Sequence, residues 1–306
     1  MIDNILIVGN QVLILFILIA VGFICNKTKI IKDNAIKSFT DFALYIVSPC
    51  VIINSYQREF DADMLNGLIL TCIVTFVSFA INIFIANIVV RDKDKRREKV
   101  LRFGAIFSNC GYMSLPLQAV LLGDDGVFFG ATYIATFNIV LWTYGVYAMS
   151  GSMKEMSLRK IILNPGIIGT LLGMALFVLS IELPLFINEP IRYFASLNTP
   201  IPMVIIGYHL ANASLKIKGL SAYISMFFRL ILSPLIMFAG LYLCGIRGTV
   251  MVACVIAGSA PFAAVTTMFA EKFGGETELS AAMVSLSTLV SIITMPIIVG
   301  FVIMFK

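Results

Sequence analysis

Residues 107–116 read FSNCGYMSLP and residues 257–267 read AGSAPFAAVTT. Each segment places glycine, hydroxyl or amide groups and a proline near the middle of an apolar run. Proline removes an amide donor and blocks the helical bond one turn back, so a helix opens there. A half-helix that restarts beyond the opening aims its amino end, with about half a positive charge and free N–H groups, at the middle of the run. Two such ends facing a common point suit a carboxylate. Kinked helices packed through small residues are the plainer alternative. The matched positions of the two segments along the chain favour the site.

Outward from these segments, the chain is a succession of apolar runs, at roughly 5–25, 35–56, 64–90, 101–122, 126–149, 161–182, 188–211, 222–244, 249–270 and 278–305. Of 306 residues, 59% are hydrophobic and 13% are charged. A soluble domain sits nearer 45–50% apolar and 25% charged, so this surface needs lipid as its solvent. The first run follows Asp3 with no Lys or Arg before it, and it is long enough to span, so it reads as a retained span rather than a cleaved leader. The second and seventh runs are the weakest, since they carry Ser48-Pro49 and Thr199-Pro200-Ile201-Pro202. Such groups are tolerated where neighbouring helices satisfy the backbone, so both runs should face protein on one side. The six cysteines show no paired spacing and read as small buried hydrophobes.

Basic residues set the orientation. Seventeen lie in alternate loops: Lys27–Lys37, Arg91–Arg102, Lys154–Lys160, Lys216–Lys218 and Lys272. The opposite loops and ends hold four, Arg58, Arg192, Arg247 and Lys306. Both termini are therefore expected on the non-cytoplasmic side of the cell membrane, with an even number of spans. Ten spans divide at the basic loop 151–160 into a first five-helix repeat, 1–150, and a second, 151–306. An odd number of spans per repeat forces the two copies to enter from opposite sides. Pro49-Cys-Val-Ile-Ile-Asn54 matches Pro202-Met-Val-Ile-Ile-Gly207, and acidic glycine turns (Gly123–Gly126 and Glu271–Glu276) follow the fourth and ninth spans. The fold expected is an all-α polytopic membrane protein: ten transmembrane helices as two inverted five-helix repeats, the fourth and ninth helices broken and crossing.

Ionisable residues inside spans are few, and such residues are functional hypotheses by default. Asp41 and His209 read as capping or interfacial, and Arg229 as snorkelling to the inner interface. The run Arg91–Lys99 reads as a topology determinant in contact with anionic membrane lipid, not as a nucleic-acid surface. No Walker A loop is present, and His209 is the single histidine, which removes H-E-x-x-H metalloprotease motifs. No enzyme, no cofactor and no metal are expected.

The chain resembles the auxin efflux carrier family, bacterial members included. Asn109 stands seven residues before Pro116, and Asn138 four before Trp142; Pro261 stands eight before the run Phe269-Ala-Glu-Lys-Phe273; and Pro296 sits in Ile-Thr-Met-Pro-Ile. These motifs recur in the family's order over the whole chain. Where plant members have a further proline this chain has Thr266, and their long central hydrophilic loop is missing. The resemblance implies a fold shared in outline with sodium–bile acid symporters. Scaffold helices at about 5–56 and 161–211 would form a homodimer, and transport helices at about 64–149 and 222–305 would move in an elevator-type alternating access. It implies secondary transport of small organic anions, dicarboxylates or auxin-like carboxylates. Asn109, Ser114, Asn138 and Ser259 would bind the carboxylate, while Pro116 and Pro261 shape the helix crossing. A sodium-coupled symporter and a non-transporting receptor of the same fold are the alternatives.

Overall fold

The computed structural model describes residues 2–156, 163–212 and 217–306. The expected start of the sixth span at 161, and the basic residues Arg159, Lys160 and Lys216, lie outside the described residues. Every regular element described is a helix. α1 (Ile2–Lys27) leads to α2 (Asp33–Phe42), which continues through a π-helical turn (Ala43–Val47) into α3 (Ser48–Ser55). α4 (Ala62–Val89) is followed by α5 (Lys95–Ile106), a break, a π-turn (Cys110–Ser114) and α6 (Leu115–Val140). A further π-turn (Leu141–Gly145) carries α6 into α7 (Val146–Ser150). The second half holds α8 (Pro165–Val178), α9 (Leu185–Ser196), α10 (Pro200–Asn212) and α11 (Leu220–Phe227), then a π-turn (Phe228–Leu232) and α12 (Ser233–Leu243). α13 (Gly248–Ser259), a second break, α14 (Val265–Phe273) and α15 (Thr277–Val302) complete it.

Local chemistry explains several of these starts. Asp61 accepts from the N–H groups of Asp63 and Met64 at the head of α4, and Asn164 from those of Gly166 and Ile167 at the head of α8, where Pro165 needs no donor. Among the described residues, six stretches are long and apolar enough to cross a membrane: Leu6–Lys27, Asn34–Ser55, Ala62–Val89, Cys110–Ser150, Leu220–Leu243 and Thr277–Phe305. Pro165–Val178 and Gly248–Ser259 are apolar but shorter. With large apolar side chains such as Ile17, Phe84, Leu172 and Leu243 turned outward, the chain is a multi-pass membrane protein.

The stretch from Cys110 to Ser150 is folded back on itself. Gly123 has φ 66°, a region that favours glycine, and Gly130 beyond it lies against Gln118 and Leu115 before it. Gly274, φ 71°, closes α14 in the same way. Both turns fall in the acidic, glycine-bearing segments that the sequence marks.

Glycines let two helix pairs approach closely, as small residues do in membranes. A Cβ on Gly22 would collide with the Val204 carbonyl and one on Gly207 with the Ile19 carbonyl, so α1 and α10 touch backbone to backbone. Gly169 lies against the Pro49 backbone and Gly173 against the Tyr56 side chain, which brings α8 close to α3 and its end. At the end of the molecule that carries the basic loops, Arg97 bridges Asp92 (3.3 Å) and Glu276 (3.3 Å), while Arg96 donates to the Gly274 carbonyl (3.0 Å). Burial pushes the Asp92 carboxyl up, but bonds from Ser221, the Asp94 N–H and Arg97 outweigh it and hold it below its ordinary value.

Candidate functional site: the crossing of two broken helices

α5 ends at Ile106, and Phe107 is already extended (φ −98°, ψ 116°). α13 ends at Ser259, and Ala260 is extended (φ −62°, ψ 149°). The two unwound pieces pass each other antiparallel, with Ser108 opposite Phe262. The Asn109 N–H donates to the Pro261 carbonyl (2.8 Å), and the Ala263 N–H donates to the Phe107 carbonyl (3.0 Å). A backbone opened inside a membrane must satisfy its freed groups within the protein, and here each break satisfies the other. Two side chains complete the exchange: Ser108 Oγ donates to the Ala257 carbonyl (2.9 Å), and the Phe262 N–H donates to Ser287 Oγ (3.1 Å). Gly104 lets Phe262 lie flat on α5, since a Cβ there would collide with the ring.

Asn109 is the first residue before the π-turn, 6% exposed, and its Nδ2 has no partner. Thr266, in the first turn of α14, is fully buried with its Oγ1 also unpartnered. Buried polar atoms without partners are rare and costly, and each calls for a reason. The hydroxyls of Ser114 and Ser259 are buried too, but each donates within its own helix, to the Cys110 and Ile256 carbonyls respectively. Asn138 is half-buried and directs its amide nitrogen at Gly166 near the head of α8. The structure thus brings Asn109, Ser114, Ser259 and Pro261 to the two breaks and places Asn138 where α6 meets α8.

The chain opens at Phe107–Asn109, seven residues before Pro116 rather than at it. Pro116 occupies the first turn of α6, where a missing N–H costs nothing. Pro261 lies within its break and supplies the carbonyl that Asn109 uses. A cavity of about 270 Å³ reaches the start of α6 from the ends of α3 and α9, lined by Asn54, Ser55, Pro116, Asp124, Arg192 and Asn198.

Sequence reasoning placed Arg229 at the membrane interface; the structure overturns this. The π-turn Phe228–Leu232 carries Arg229 to the crossing, where it is 1% exposed. Its Nη1 donates to the Ile106 carbonyl (2.9 Å) and the Ala105 carbonyl (3.3 Å), and its Nη2 to Ser233 Oγ (3.0 Å) and the Gly258 carbonyl. One guanidinium therefore caps the carboxyl ends of both half-helices. The signal available was an arginine inside an apolar run with Ser-Pro four residues on, a helix interruption that would expose it inward. Asp41 and His209 are exposed on α2 and α10 and take no part.

A family model described as membrane transport protein matches this chain over residues 7–155 and 148–299. A protein of Rhizobium meliloti named "Putative malonate transporter" is 26% identical over 300 residues, covering 94% of this chain and 93% of its own. A protein of Methanocaldococcus jannaschii named as an uncharacterized transporter is 22% identical, covering 93% of this chain and 95% of its own. Another uncharacterized transporter, from Methanothermobacter thermautotrophicus, is 22% identical over 94% of this chain and 96% of its own. With nearly the whole length matched, the chain belongs to the membrane transport protein family, the auxin efflux carrier-like family that its broken helices resemble.

Proposed function

We propose that this protein is a secondary transporter that carries small organic anions across the cell membrane, taking the substrate at the crossing of its two broken helices. The observation that carries the reading is the unpartnered Nδ2 of Asn109, a buried donor at the amino end of a half-helix that starts beside a second break. Such a donor, in the positive field of a helix start, fits a carboxylate oxygen. A cavity opens at the head of α6, one π-turn beyond Asn109. The name of the Rhizobium relative puts malonate first among the carboxylates to examine.

In this reading ten spans form two inverted repeats, and the packing supports it. Numbering spans by the ten apolar runs, α1 packs on α10 (first on seventh) as α3 packs on α8 (second on sixth). α1 packs on α15 (first on tenth) as α8 packs on α6 (sixth on fifth). Exchanging each span with its counterpart five later turns one contact of each pair into the other. The loop near 150 also divides the two segments that match the family. The basic loops then face the cytoplasm, both termini face away from it, and the helices carrying the crossing move against α1–α3 and α8–α10.

Thermal unfolding of the purified protein against a panel of mono- and dicarboxylates tests the substrate class, because a ligand that binds only the folded state must raise stability. Uptake of the best ligand into proteoliposomes follows. A panel in which neutral compounds stabilise and no carboxylate does would overturn the reading.

A further inference from the structure

Each break in the crossing has two ends, and helix starts alone do not make the place positive. The half-helices that begin after the breaks bring about +0.5 each, and the half-helices that end there, α5 and α13, bring about −0.5 each. Left to themselves these four ends cancel. Among the described residues, the one full charge buried there is Arg229, bonded to the last carbonyls of both α5 and α13. Among the described residues no carboxylate forms an ion pair with it, and its Nε has no partner.

We propose that Arg229 is the residue that makes this site select anions: by neutralising the negative ends of both half-helices, it leaves their partners' amino ends, with Asn109 at one of them, as a net positive field. The inference deepens the proposed function and rests on it. Arg229 acts chiefly through this field: both Nη atoms are taken up by protein acceptors, and Nε alone is left without a partner. It is a positioning residue for charge. Its partners Ala105, Ile106, Ser233 and Gly258 all belong to the helices proposed to move, so the charge travels with the site.

The test compares malonate with malonamide, in which neutral amides replace the carboxylates at similar size, on the purified full-length protein. Wild type should bind malonate much more tightly than malonamide. In Arg229→Gln that ratio should fall at least about tenfold, the effect of one buried unit charge as far as about 12 Å away at an effective dielectric of about 20. Arg229→Lys, which keeps the charge, should keep most of the ratio. Because Arg229→Gln removes bonds that hold the crossing, a second variant leaves them in place. Ser233→Asp puts a carboxylate where the Ser233 hydroxyl meets Nη2, so it cancels the charge while the guanidinium stays. It should lower the ratio as Arg229→Gln does, and Ser233→Asn should not. A merely structural role would weaken both ligands together and leave the ratio alone. An unchanged ratio in Ser233→Asp overturns the role of Arg229 while the carboxylate reading stands. Wild-type protein that binds malonamide as well as malonate overturns the carboxylate reading and this inference with it; if it binds neither, the carboxylate that most raises its unfolding temperature and that compound's amide take their place.

Discussion

Asn109 holds the crossing together with its backbone and leaves its side chain free: its N–H bonds the Pro261 carbonyl at 2.8 Å, while Nδ2 has no partner. Substitution separates the two. In Asn109→Ala the backbone bond stays, and removal of a buried unpartnered donor should leave the ligand-free protein as stable as wild type or more so. Affinity for the carboxylate should fall by about 1–3 kcal/mol, the cost of a site group losing its partner. Thr266→Val behaves alike: its Oγ1 is buried and unpartnered, so the near-isosteric change should raise ligand-free stability by about 1 kcal/mol and weaken binding. Unfolding temperature and direct binding measured on the same samples decide both cases. A variant that loses stability and keeps affinity marks a packing residue. The place of Asn109 beside the break was legible in the sequence through its spacing before Pro116, the motif on which the family resemblance rests. Arg229 was not, because snorkelling is an inexpensive fate for an arginine near a span end. Only the tertiary arrangement shows two carbonyl ends waiting for it.

At the scale of elements, the breaks depend less on proline than the sequence suggests. α5 stops at Ile106 because its next residues pair with the opposite break, and Pro116 lies in the first turn of α6, past the π-turn that restarts the helix. Pro116→Ala should therefore change stability by no more than about 1 kcal/mol, the range of compatible proline replacements. Gly104→Ala should cost far more. Its Cβ would run into the ring of Phe262, which is fully buried and whose N–H is held by Ser287, so the ring has nowhere to retreat. Overpacking of this kind costs about 1–3 kcal/mol and here disturbs the crossing itself. Denaturation of the two variants side by side ranks them; equal losses would return the break to Pro116. The glycine-bearing turns at Gly123 and Gly274 were readable because glycine next to acidic residues between apolar runs is a direct turn signal. The exact point of opening was not, since it is set by hydrogen bonds between residues about 150 positions apart in the chain.

For the molecule as a whole, the elevator reading makes a demand on one contact. α3 is closed by Tyr56, whose hydroxyl meets Thr132 Oγ1 at 3.0 Å, and two residues on stands Arg58, whose Nη1 meets Asp125 Oδ1 at 2.7 Å. Arg58 also lies over the Phe128 ring, 4.9 Å from its centroid. These bonds join a helix assigned to the static scaffold to α6, which is assigned to the moving body. Asp125 is about half exposed, so the ion pair itself adds little stability and can open readily. Movement of α6 along α3 must break all three contacts, and a covalent link in their place must stop it. Arg58→Cys with Asp125→Cys, in a background free of the six native cysteines, should therefore lose transport in proteoliposomes when joined by a short bifunctional thiol reagent. Carboxylate binding should persist, because the crossing is untouched, and a reductant that cleaves the link should restore flux. The single-cysteine proteins treated in the same way should transport normally. Full transport by the linked protein would rule out sliding between α3 and α6, and with it the division into a fixed scaffold and a moving body, while leaving the carboxylate site at the crossing to be judged by binding alone.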